Sequence, residues 1–119
     1  MAIIRVLVKE PGKPTEVREI ENTLESFQTI VGGNIEALQI TENVLCYLND
    51  EGKLLKLAPN FLNMLDVICG TAVFMRADEE GNEIDLTMSD IIFLTEHLKR
   101  VAVENLEIDG KPLTELWKA

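Results

Sequence analysis

Histidine, serine and basic side chains are scarce in this 119-residue chain, and each shortage removes a class of function. There is one histidine, His97, so any Ser–His or Cys–His nucleophile pair would have to use it. It flanks the apolar stripe of a predicted helix, between Leu94 and Leu98, where a half-exposed structural imidazole is expected. The only serines are Ser26, inside one predicted helix, and Ser89, at the start of another. Cys46 and Cys69 sit within apolar runs and read as two buried reduced thiols rather than a disulfide. Burial raises a thiol's pKa and leaves it inert, so no catalytic residue is assigned. No C-x-x-C or H-x-x-x-H spacing occurs, so neither a metal site nor a cofactor is expected.

Bases number 11 against 21 acids, a formal charge of −10. Direct nucleic-acid binding and docking on an anionic membrane both need the opposite sign. The longest stretch without a charge, Ser26 to Ile35, is too short and too polar for a span, which needs about 20 apolar residues. The N-terminus mixes charge into its apolar residues and shows no signal-peptide pattern, so a cytoplasmic location is expected. Gly32-Gly33 closes a helix instead of opening one, the wrong end of the dipole for cradling phosphate.

What is present is a complete core plan. Apolar residues make up 46% and charged residues 27%, which suits one globular domain over 1–119. Ile3 to Lys9 is β-branched and apolar on both faces except at Arg5, which predicts an interior strand. Glu16 to Ile20 pairs back after the Pro11–Pro14 turn. The spacing of Leu24, Phe27, Ile30 and Val31 predicts a helix over 23–31, with Asn22 and Glu25 as a capping box and Gly32-Gly33 as its stop.

Strands are predicted at Ile35–Ile40 and Val44–Leu48. A turn at Asn49–Gly52 then leads into a returning strand at Lys53–Leu57. Ala58–Asn60 reads as a loop and Phe61–Leu65 as a helical turn. Asp66–Ala77 reads as one long strand holding Gly70, and Glu83–Leu86 as a short one. Thr87 with Asp90, or Ser89 alone, caps a second helix whose core face is Ile91, Leu94, Leu98, Val101 and Ala102, with Glu96–Arg100 as an i,i+4 pair. Beyond Val103 a strand at Leu106–Ile108, a turn at Asp109-Gly110 and an apolar turn at Leu113–Trp117 follow. The fold expected is α+β: a mostly antiparallel sheet packed by two amphipathic helices on one face.

Candidate sites are few. The acidic run Asp78, Glu79, Glu80, Glu83 and Asp85 lacks the alternating ligand order of a calcium loop and reads as a solvated turn. Arg18, Lys53, Lys56 and Asn60 could line an anion or small-ligand site. Glu16, Glu19, Glu21 and Glu51 are the carboxylates a small acid–base enzyme would draw on. A nucleic-acid mimic would line its acids along rigid elements, whereas here most cluster in turns and around 16–25. Leu113, Leu116 and Trp117 pack on the chain's own sheet or on a partner.

Three segments together carry a resemblance: Val17 to Glu36, with a helix start and a Gly-Gly stop at fixed spacing; Asn49–Lys53 with Leu57–Asn60; and Asp66–Ala72. Over about Ile3 to Ile92 the chain resembles a family of small proteins known as domain of unknown function 3846. The resemblance implies a single α+β domain in a cytoplasmic protein of a phage, plasmid or conjugative element, with residues 104–119 as an extension. It carries no activity. The family's recurrent polar positions correspond to Arg18, Glu19, Asn49, Glu51, Gly52, Pro59 and Asn60. A basic residue common after the last Asn is Phe61 here. With Lys53 added, Arg18, Glu19, Asn49, Glu51, Lys53 and Asn60 form the candidate ligand-binding set. A non-enzymatic accessory protein engaging a host protein or small ligand, with counter-defence as one purpose, is the function expected from these features. A carboxylate enzyme and a nucleic-acid mimic are the alternatives.

Overall fold

The computed structural model describes residues 2–117. Its central sheet is antiparallel throughout, in the order β2-β1-β7-β4-β3. These strands are β1 (Ile3–Lys9), β2 (Glu16–Glu21), β3 (Ile35–Gln39), β4 (Val44–Asn49) and β7 (Ala72–Ala77). A two-residue strand, β8 (Glu83–Ile84), pairs with the end of β7, where β1 has turned away. Arg5 closes the gap: its N–H donates to Asp85 Oδ1 at 2.6 Å, and its carbonyl accepts from Leu86 N–H at 3.1 Å. Between β4 and β7 the chain leaves the sheet to form a separate hairpin, β5 (Pro59–Asn63) with β6 (Asp66–Cys69).

Both faces of the sheet are apolar, and each is covered by a helix. Val6, Val8, Tyr47, Val73 and Met75 pack on Phe27 and Val31 of α1 (Leu24–Val31). Phe27 meets the Tyr47 ring edge-on, 4.9 Å between centroids. On the other face Leu7, Cys46, Leu48 and Phe74 pack on Leu94 and Leu98 of α2 (Met88–Val101) and on Phe61 and Ile68 of the hairpin. The helices therefore lie on opposite faces, not on one. A sheet whose central strands are apolar on both sides cannot leave either side to water.

The helix ends show what fixes them. Thr23, not Asn22, caps α1, accepting from Ser26 N–H at 3.1 Å. Asn22 is drawn instead to the sheet, where its amide donates to Glu83 O at 3.2 Å. Thr87 and Asp90 form the expected capping box on α2. Asp90 also takes both nitrogens of Arg76 on β7, at 2.8 and 2.9 Å, so one carboxylate ties the helix start to the sheet. On the outer face of α2, Glu96 meets Lys99 at 3.9 Å rather than Arg100.

Three expectations in the middle of the chain fail together. Lys53–Leu57 does not return as a strand, because β4 already has β3 on one edge and β7 on the other. It forms turns, and the strand comes later as β5, where a loop and a helical turn were expected. The long strand over 66–77 is two strands in two sheets, broken at Gly70, whose φ of +93° suits glycine alone. The C-terminal segment packs inward through a 3-10 turn (Val103–Asn105), with Val103 buried and an isolated bridge from Ala102 to Phe61. After it come β9 (Glu107–Ile108), β10 (Lys111–Pro112) and α3 (Leu113–Leu116), the last resting on that turn. The final two residues of the expected extension lie outside the described part.

Candidate functional site

The turns at 50–56 and the β5–β6 hairpin stand side by side and enclose a groove of about 360 Å³. Its walls carry Glu36, Asp50, Glu51 and Asp66 against a single base, Lys53, which is ion-paired with Asp66 across the groove. The floor is apolar, from Leu38, Leu48, Val67 and Ile68. Gly52 makes the close approach that seats the turn: a Cβ there would lie 2.5 Å from the carbonyl oxygen of Cys69.

Leu54 lines this groove, and further exposed apolar side chains stand on the two segments that form it. Leu65 at 103%, Met64 at 90% and Leu54 at 76% are the most exposed large apolar residues among those described, and Leu55 stands beside them at 54%. Met64 sits at the hairpin tip with φ of +57°, a left-handed position that turns β5 into β6 in two residues.

The structure brings three of the six expected ligand-binding residues to this groove and separates the rest. Glu51 and Lys53 line it with exposed side chains. Asn49 lines it too but is bonded within the fold, donating to Val31 O at 3.3 Å and accepting from Glu51 N–H at 2.8 Å. Asn60 is fully buried, and its amide donates to Lys9 O at 2.8 Å and Gly70 O at 2.9 Å. It clamps β5 to β1 and to the β6–β7 break; its Oδ1 has no partner among the described residues. Arg18 and Glu19 lie on β2 at the far edge of the sheet. Arg18 is held by Glu16 at 3.0 Å, and that hydrogen bond keeps the Glu16 carboxyl below its usual pKa.

The other candidates are dispersed as well. Glu16, Glu19 and Glu21 belong to β2, three strand steps from β4 and Glu51, about 14 Å sideways. His97 stacks on Phe93, 5.6 Å between ring centroids. Cys46 and Cys69 are free and buried, and burial pushes both thiols up in pKa. Among the described residues no three His, Cys, Asp or Glu side chains converge to hold a metal ion. No described helix is long and apolar enough to cross a membrane.

The candidate set drawn from the sequence lacks Leu54 and Asp66, which line the groove, and Leu55, Met64 and Leu65, which are exposed on the segments that form it. A signal was there: Met64-Leu65 is an apolar pair between Asn63 and Asp66, both turn formers, which is how a hairpin tip with an exposed apolar end looks.

One family model, described as a domain of unknown function (DUF3846), matches residues 4–99. The chain belongs to that family. No curated protein and no solved structure matches it. The DUF3846 match takes in the sheet from the second residue of β1, all of α1, α2 as far as Lys99 and the whole groove, and ends before the 3-10 turn. Three recurrent polar positions of the DUF3846 resemblance, Asn49, Gly52 and Asn60, have structural work in this fold, as a turn tie, a close approach and a clamp. Phe61, where the resemblance implies a basic residue, is buried and packs on Phe74 with 5.9 Å between ring centroids.

Proposed function

We propose that this DUF3846 protein is a non-enzymatic binding protein. Its partner is a second protein that inserts an apolar side chain flanked by basic ones into the groove between the 50–56 turns and the β5–β6 hairpin. The observation that supports this is that the most exposed apolar side chains, Leu54, Met64 and Leu65, lie on the two segments that form a groove of four acids and one base. Water-exposed leucines and methionines gathered at one place mark interaction surfaces, and a depleted-charge centre with a charged rim is the usual anatomy of one. The acidic walls select a basic partner and speed its approach. The mobile-element context implied by the family resemblance makes a host protein in the cytoplasm the partner, and counter-defence the purpose.

The test compares capture from host extract by the wild-type protein and by a Leu54→Asp/Leu65→Asp variant. The expected result is one protein, retained by the wild type, lost with the variant, and bound again when purified, with affinity falling as salt rises. Equal capture by the variant would overturn the reading. So would a bound small molecule in the groove, seen by native mass spectrometry, that survives the double substitution.

A further inference from the structure

On the opposite side of the β5–β6 hairpin's attachment, the charge pattern reverses. A cleft of about 280 Å³ lies between the β1–β2 turn and the C-terminal half of α2, and three of the chain's 11 bases line it: Lys9, Lys13 and Lys99. One acid, Glu104, is present. Among the lining residues bases therefore outnumber acids, with Glu10 and Glu96 standing beside Lys13 and Lys99 just outside the lining.

We infer that this cleft is a binding site for a small phosphorylated molecule. Lys9 is 3% exposed, and its ammonium is satisfied by Glu10 O at 3.0 Å and by Glu104 at 3.1 Å, so Glu104 occupies the position of a bound oxyanion. Nearer the mouth, Lys13 and Lys99 are each 67% exposed and meet only long ion contacts, 3.7 Å to Glu10 and 3.9 Å to Glu96. Such exposed pairs are weak and exchange readily for a better anion. Thr15 and Thr95 face each other at 3.4 Å; their two hydroxyls share one hydrogen bond, which leaves one proton for a ligand. Two exposed ammonium groups and a hydroxyl donor, joined by Lys9 once the ligand displaces Glu104, suit a dianionic group with three acceptor oxygens. The buried Leu98 and Ala102, with the exposed Pro14 at the edge, suit an apolar body attached to it.

A simpler account is that these lysines only complement the negative end of the α2 dipole. The last carbonyls of that helix already have donors: Leu98 O takes Ala102 N–H at 2.8 Å, and Lys99 O takes the Asn105 amide at 2.9 Å. The dipole account also gives Glu104 no reason to lie in the cleft.

Amide NMR of the full chain, titrated with phenyl phosphate at fixed ionic strength, tests the site. Shifts at Thr15, Thr95, Lys99 and Asn105 should saturate, with a dissociation constant below about 1 mM. Inorganic phosphate should bind the same residues more weakly, for want of the apolar contact. Lys13→Gln/Lys99→Gln, at two exposed positions, should weaken binding roughly tenfold or more. Glu104→Gln frees Lys9 and should tighten it several-fold, an effect that a dipole role does not produce. Shifts that drift without saturating, or that persist unchanged in the double variant, would overturn the site. Unchanged affinity in Glu104→Gln would do the same, and benzoate binding as tightly as phenyl phosphate would overturn the phosphate assignment.

Discussion

The groove and the cleft have similar size and opposite chemistry. The groove has four acids, one base and exposed leucine and methionine on the segments that form it; the lining of the cleft has three bases, one acid and two buried apolar side chains. Each holds one ion pair between its walls. Lys53–Asp66 is more than half exposed at both ends, whereas Lys9 in the Lys9–Glu104 pair is almost wholly buried. A pair in water contributes little, but a buried ammonium depends on its partner. The comparison teaches that the groove's charges are free to select a partner, while those of the cleft are partly built into the fold. Asn60 joins the two regions, since its amide holds Lys9 O on the cleft side and Gly70 O on the groove side.

The largest expected effect would break both regions at once. Asn60→Ala leaves two buried carbonyls without a donor and opens a small cavity, a loss of about 2–4 kcal/mol. Urea unfolding followed by far-UV circular dichroism measures it. A loss confined to the groove, with the Lys9 amide unaltered by NMR, would show that the two regions are not joined through this side chain.

Asp90→Asn probes how the start of α2, whose other end walls the cleft, is anchored to the sheet. The carboxylate serves Arg76 and the Thr87 N–H together, so the expected cost at neutral pH is about 1–3 kcal/mol. The Arg76 hydrogen bonds hold the Asp90 carboxyl below its ordinary pKa. Its contribution is therefore complete above the unfolded value of about 4 and is lost as pH falls through the depressed folded value. Glu16 and Asp78 are held low as well, but both are exposed, so the difference between wild type and Asp90→Asn isolates the one carboxylate. Wild type should lose its advantage over the variant on acidification below about pH 4. An advantage constant from neutral pH down to strong acid would show that the charge of Asp90 is not what anchors the helix.

Wherever one element's own residues decide the outcome, the sequence is readable. The two long helices follow from 3.6-residue spacing and their stops; β1 follows from its β-branched, two-sided apolar run. The Thr87–Asp90 box is visible for the same reason. Residues 53–77 are not readable in that way, because their structure depends on which strand edges remain open. Leu54 and Leu55 look like a buried return strand until both edges of β4 are known to be taken. Gly70 marks a break, but only the left-handed φ shows that β6 departs for another sheet. The candidate site divides along the same line. Glu51 and Lys53 are exposed residues of one local run of turns, although the sequence places Lys53 at the start of a strand. Arg18 and Glu19 looked equally polar but belong to the far edge, and a residue's neighbours across a sheet are not encoded by its neighbours in the chain. The Lys9, Lys13 and Lys99 cluster draws on positions 90 residues apart in sequence.

The smallest expected effect sharpens the contrast between the two ion pairs. Lys9→Met removes a buried cation and leaves Glu104 and the Glu10 carbonyl without their donor, an expected loss of about 1–3 kcal/mol. Lys53→Met removes a cation from an exposed pair, and stability should stay within about 0.5 kcal/mol of wild type. Groove chemistry should respond in the other sense: without Lys53 the walls are purely acidic, so a basic partner should associate faster at low salt, with the gain vanishing as salt is added. Stopped-flow association at two salt concentrations reads this directly. If Lys53→Met slows association instead, then Lys53 touches the partner, and the groove recognises an acid as well as a base.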